Sequence, residues 1–328
     1  MIRLSVFALV AALPLAAQQE APADTVPPAG AMESPFQAAS SGFTLYGTLT
    51  LPRNAAGPVP VALIIAGSGP TDRNANSPMG IRSNTYAQLA WRLAERGIAS
   101  LRYDKRGIAQ SRGDFDSAAV ARATLGEYAA DAKALADTLH RDRRFSKVVL
   151  VGHSEGSALA ILAANAGAPV AGIASLAGMG RRFGVVLHDQ MAEQLDSATL
   201  VTYDSAMAQY LAGKDPAVPA AWHPLFVPAN RTFLKSLWDF DATQVSRVPC
   251  PVIIIQGDLD LQVLTADADA LHAARPSARL VILRGDNHMF KIVPSRDRMA
   301  QMPAYLDPKT PIDPALVDTL AAWIGGLR

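Results

Sequence analysis

The chain has 328 residues, half of them hydrophobic and 18% charged, with a formal charge of +1. That length can bury a sizeable core, as one large α/β domain or two small ones. The near-neutral balance and the absence of any Lys/Arg-rich run give no electrostatic footprint for nucleic acid or an anionic membrane surface. The single cysteine, Cys250, excludes an intrachain disulfide and a cysteine-based zinc site.

The chain opens with MIRLSVFALVAALPLAAQQ, one early arginine followed by an apolar stretch from Leu4 to Ala17. Residues 1–17 read as a secretory signal peptide, too short for a comfortable membrane span. An uncleaved anchor is the alternative. Removing this segment leaves 29 basic and 29 acidic residues. The expectation is an exported protein, periplasmic or secreted, with no stable membrane span once processed. Residues 18–35 are rich in Pro, Ala and Gln without periodicity and read as a flexible tether. The folded domain is expected over 36–328.

Within it, Phe43–Pro52 alternates apolar and polar residues, as a half-buried strand does. Val59–Gly67 is continuously apolar, the pattern of a strand buried on both faces. Tyr86, Leu89, Ala90 and Leu93 follow at helical spacing, with Gly97 suited to the C-cap. Ile98–Asp104 is the next strand. Thr124 and Glu127 form a capping box for a helix whose apolar face carries Leu125, Ala129, Ala132, Leu135 and Leu139. Lys147–Gly152, Gly172–Gly178, Pro251–Gly257 and Ala278–Gly285 are further strands, and Asp313-Pro314 opens a last helix. Apolar strands alternating with helices predict an α/β fold with a mostly parallel, doubly covered sheet. Residues 181–248 break the alternation. They contain two helical stretches and several aromatics, and read as a small helical cap inserted over the sheet's C-terminal edge, where such folds bind ligands.

Gly152-His153-Ser154-Glu155-Gly156 lies at a strand–helix junction and matches the G-x-S-x-G nucleophile elbow. A serine on that strained turn stands clear of both elements, and glycines two before and two after it allow the strand and helix to cross closely. The following helix directs its amides at any anion formed nearby. A serine hydroxyl needs a base, and the base needs an orienting carboxylate. The chain order Ser, Asp/Glu, His selects Asp260 in QGDLDLQV and His288 in RGDNHMF, each just after a strand. Asp258 competes with Asp260 as the acid, whereas Asp286 reads as a turn residue. His153 reads as a packing residue turned away from the serine's path. Oxyanion donors are expected from the amide of Glu155 and from AGSGPTDRN (residues 66–74), with the Ser68 amide as the second donor.

AGSGPTDRN, RYDKRGIAQS (Arg102–Ser111), GHSEG and QGDLDLQV…GDNHMFK together resemble the α/β-hydrolase superfamily, and within it bacterial exported serine esterases. The resemblance spans roughly Phe43 to Arg328. It implies a Ser154–Asp260–His288 triad, a main-chain oxyanion hole at Ser68 and Glu155, small-molecule carboxylic ester substrates, and no metal or organic cofactor; the small size of the insertion suggests acyl chains of short to medium length. It also implies that Arg102–Gly107 is a structural loop beside the site. Ala75 departs from the pattern, where glycine is common. A serine peptidase or amidase, a thioesterase or acyltransferase of the same fold, and a non-catalytic binding protein are the competing readings. Glu193, Asp196 and Asp204 keep an amine-anchoring role for the cap open.

Overall fold

The computed structural model describes residues 26–113 and 122–328. The expected signal peptide, 1–17, and the first part of the expected tether, 18–25, lie outside the described residues. Eight strands form one sheet: β1 (Ala31–Ser40), β2 (Phe43–Pro52), β3 (Val59–Ile65), β4 (Ala99–Tyr103), β5 (Phe145–His153), β6 (Gly172–Leu176), β7 (Val252–Gly257) and β8 (Arg279–Leu283). Their order is β1-β2-β4-β3-β5-β6-β7-β8. Strand β2 runs antiparallel to both neighbours, and every other pairing is parallel.

The central strands are apolar throughout because helices cover both faces. Along β3, Val61, Leu63 and Ile65 pack into one core layer, while Ala62 and Ile64 pack into the other. Strand β5 divides in the same way, Val148 and Leu150 against Val149 and Val151. The first layer receives α2 (Leu125–Arg141) and α3 (Glu155–Asn165). The second receives α1 (Thr85–Ala94) and α9 (Pro314–Gly326). The Thr124–Glu127 capping box and the Asp313 cap with Pro314 at the first helical turn form as their residues predict.

The tether expectation needs correction at its C-terminal end. Residues 31–35 belong to β1, which pairs with β2 along its whole length. A proline inside an unpatterned run hid this strand. Pro35 is tolerated because β1 is at the sheet edge. Ser41 and Gly42, both at positive φ, make the tight turn that joins the hairpin. Glu33 anchors the edge by accepting from the Trp91 indole at 2.6 Å and from the buried Arg102 guanidinium at 2.7 Å.

Between β6 and β7 the insertion folds into three α-helices, one more than the residue pattern shows: α4 (Phe183–Ala192), α5 (Ser197–Leu211) and α6 (Pro228–Trp238). Pro228 opens the last of the three. Tyr203, Tyr210, Trp222 and Phe226 pack edge to face within the insertion, and they are continuous with the core layer on that face of the sheet. Among the described residues, the remaining α-helices are α7 (Thr265–Ala274) and α8 (Arg298–Leu306).

Candidate active site

Strand β5 ends at His153 and α3 begins at Glu155, so Ser154 is the whole turn between them. Its backbone sits at φ 55°, ψ −121°, a strained conformation for a residue with a side chain. The glycines permit this crossing by close approach. A Cβ on Gly152 would overlap the Gly156 carbonyl oxygen, and one on Gly156 would overlap the Ile65 carbonyl oxygen of β3. The Ser154 N–H donates to Leu176 of β6 at 2.8 Å and ties the elbow to the sheet.

Asp260 follows β7 and His288 follows β8, and the parallel sheet brings both to the elbow's edge. His288 Nδ1 lies 2.8 Å from Asp260 Oδ2. Both residues are buried. Asp260 Oδ2 also accepts from Gln256 Nε2 at 3.0 Å, and Oδ1 accepts from the amides of Gln262 and Val263 at 2.7 and 3.0 Å. Burial pushes the Asp260 carboxyl up, but the charge and hydrogen bond of His288 and those two amides outweigh it, so its pKa lies below the ordinary value. The competing carboxylates are engaged elsewhere. Asp258 accepts from the Gly285 amide at 2.7 Å. Asp286 is buried beside Asp313; burial first, then that neighbour, raise its pKa to about 8. Asp286 is therefore a buried acid with a carboxyl partner, more than the turn residue its position implied.

Ser154, His288, Gly67, Ser68 and Gly69 line one cavity of about 110 Å³. Ala75, Met79 and Ile81 wall one side; Met179, Phe183 and Leu187 from the cap edge wall another. Gln190, Gln262 and Tyr305 border both this cavity and a niche of about 10 Å³ completed by Gln194, Leu261, Arg298 and Gln301. The loop of residues 66–74 is pressed against the elbow: a Cβ on Gly67 would lie 3.1 Å from the Ser154 Cβ. Ala75 takes φ 71°, a conformation in which glycine is free of strain, so the departure puts an alanine where the backbone favours glycine.

Two functional side chains carry no signal of their own in the sequence. Tyr86, on the buried face of α1, accepts from the Gly67 amide at 3.1 Å and sits 2.7 Å from His153 Nδ1. His153 Nε2 lies 2.8 Å from the His288 carbonyl oxygen, so Nε2 carries the proton and Nδ1 accepts from the tyrosine. Burial, then the neighbouring His288, depress the His153 pKa to about 3. His153 thus stays neutral and links the elbow, through Tyr86, to the loop of residues 66–74 and directly to the backbone of His288, more than the packing role its position implied. The charges of Arg102–Gly107 hold loops. Arg102 donates to Asn74 at 2.8 Å, Asp104 accepts from the Arg73 amide at 2.8 Å, and Arg106 grips Asp131 through two 2.6 Å bonds.

An eight-stranded, mostly parallel sheet with a serine elbow after its fifth strand defines the α/β-hydrolase fold, and the chain has that fold. The family described as serine aminopeptidase, S33, matches residues 78–218, which include the elbow and part of the cap but neither Asp260 nor His288. No curated relative matches in sequence. Among solved structures, Est1E from Butyrivibrio proteoclasticus with ferulic acid bound is 19% identical, with 88% of this chain and 99% of that one covered and a TM-score of 0.58. A dienelactone hydrolase from Anabaena variabilis is 20% identical, with 91% and 100% covered and a TM-score of 0.53. The proline iminopeptidase of Mycobacterium smegmatis is 17% identical, with 89% and 98% covered and a TM-score of 0.58. At such identities these likenesses establish the fold, and the chemistry must be argued from the site.

Proposed function

We propose that the protein is a serine carboxylesterase acting on esters with short to medium acyl chains. The observation that carries this reading is the cavity lining. Among the described residues that line it there is no carboxylate, and the ionisable side chains there are His153, His288, Tyr86 and Tyr305. An aminopeptidase needs an anion to hold the substrate's terminal ammonium, because a buried unpaired charge is costly. The three acids of the cap that the sequence left open for an amine are used or placed otherwise. Asp196 caps α5 through the Thr199 amide at 2.9 Å, Asp204 lies 2.9 Å from His188, and Glu193 is not among the lining residues. The cavity volume is below the roughly 300–1,000 Å³ of pockets that enclose drug-sized ligands, which favours small acyl groups.

In the reaction, His288 takes the Ser154 proton as Oγ attacks the ester carbonyl. Asp260 holds the imidazole tautomer through Nδ1 and stabilises the imidazolium. The amides of Ser68 and Glu155 receive the tetrahedral oxyanion. His288 returns the proton to the departing alcohol, then draws one from water, which releases the acid from Ser154. Export through the N-terminal segment is part of the same proposal.

Hydrolysis of p-nitrophenyl esters from acetate to palmitate, beside aminoacyl p-nitroanilides, tests the reading. Turnover of short esters that disappears in Ser154→Ala is the expected result. Cleavage of the anilides in preference to the esters would replace the esterase by a peptidase.

A further inference from the structure

Lys105 directly follows Asp104, just past β4, and its side chain is only 5% exposed. Burying a lysine ammonium is costly unless its donors are matched. Its Nζ donates to the Gly67 carbonyl at 2.7 Å and to Glu155 Oε1 at 2.8 Å, and lies 5.7 Å from the centre of the Tyr128 ring. These are not arbitrary partners. Glu155 carries one of the two amides assigned to the oxyanion. The Gly67 carbonyl belongs to the same peptide unit as the other, the Ser68 N–H.

In a planar trans peptide, the C=O and N–H point in opposite directions. Holding the Gly67 oxygen on Lys105 therefore turns the Ser68 N–H the other way, toward the cavity that Ser68 and Ser154 both line. The preceding peptide is held too, since the Gly67 N–H donates to the Tyr86 hydroxyl at 3.1 Å. Among the described residues, neither the Ser68 nor the Glu155 amide donates to a protein acceptor, so both remain available for a ligand. Without the lysine, a peptide bordered on one side by Gly67, whose ψ is little restricted, can rotate and present a carbonyl where a donor is needed.

We propose that Lys105 is the positioning residue of the oxyanion hole: one buried ammonium sets the orientation of the Ser68 amide through the Gly67 carbonyl and anchors the residue that supplies the second amide. The proposal rests on the serine-hydrolase chemistry above. It concerns preorganisation, so its effect belongs to the transition state and not to substrate binding.

Removing Lys105 alone would leave Glu155 buried without its cation, and its Oε2 already lacks a partner. The test therefore uses the double variant Lys105→Met/Glu155→Leu, which replaces the pair by apolar groups and keeps the Glu155 backbone amide. The main readout is the rate at which a fluorophosphonate phosphonylates Ser154, a step that needs the same amides and no knowledge of the natural acyl group. In a variant with wild-type circular dichroism and cooperative unfolding, labelling should slow by about 10–1,000-fold, up to the loss of one oxyanion donor. With the best p-nitrophenyl ester, kcat should fall by a similar factor while KM stays within about twofold. A folded variant labelled within threefold of wild type, or one whose loss lies entirely in KM, would overturn the proposal. Failure of the wild-type protein itself to be labelled would instead remove the serine-hydrolase reading beneath it.

Discussion

The neutral His153 predicts a measurable acid sensitivity. In the folded chain its pKa is depressed to about 3 by burial and by His288, against an ordinary value of 6.5. Below pH 6.5 the unfolded chain takes up a proton that the folded chain refuses. The stability contributed by this group is therefore fully present above pH 6.5 and is lost as the pH falls toward 3. From pH 7.5 to pH 5.0 the loss amounts to about 2 kcal/mol, taking 1.36 kcal/mol per pH unit once the unfolded histidine is mostly charged. His153→Gln removes the titration and can keep a donor on the His288 carbonyl. Asp260, Asp72 and Asp286 also titrate with shifted pKa values, but they are common to both proteins, so the comparison isolates His153. Urea unfolding of both proteins at the two pH values gives the difference directly. The variant is expected to be less stable at pH 7.5, by about 1–3 kcal/mol for the bond lost by the buried Tyr86 hydroxyl. Its deficit should shrink by about 2 kcal/mol at pH 5.0. An unchanged deficit would show that His153 is not held neutral by the fold.

The triad and the cavity give two further expectations. Asp260→Asn should lower kcat by about 10,000-fold by favouring the wrong tautomer of His288. It should also cost about 1–3 kcal/mol of stability, because an amide nitrogen would face donors that the carboxylate now accepts from; kinetics and a melting curve on one preparation check both. Leu187→Ala enlarges the cavity at the cap edge and should move the preference among p-nitrophenyl esters toward longer chains. A uniform fall across the series would place Leu187 in packing alone.

Much of this protein can be read from its residues in order. Continuous apolarity along Val59–Ile65 and Phe145–His153 follows from burial on both faces, a local pattern with a global cause. The elbow is a local pattern with one local and one remote cause: Gly152 answers to the Gly156 carbonyl one helical turn on, and Gly156 to the Ile65 carbonyl of the neighbouring strand. Asp260 and His288 are legible because a parallel sheet carries the end of each strand to the same edge, so chain order maps onto position. Strand β1 escaped because an edge strand needs no alternating pattern and is held by a partner's backbone and by Glu33. The choice between Asp258 and Asp260 depended on which of two neighbouring carboxylates the chain turns toward His288. Tyr86, Lys105 and the neutral His153 were invisible for the same reason. Their partners lie 19 to 135 residues away, and a hydrogen bond between distant residues leaves no periodicity in either segment. The residue types of the site are thus written in the sequence, whereas the direction of its donors, the tautomer of His153 and the shape of the cavity arise only when remote segments close on one another.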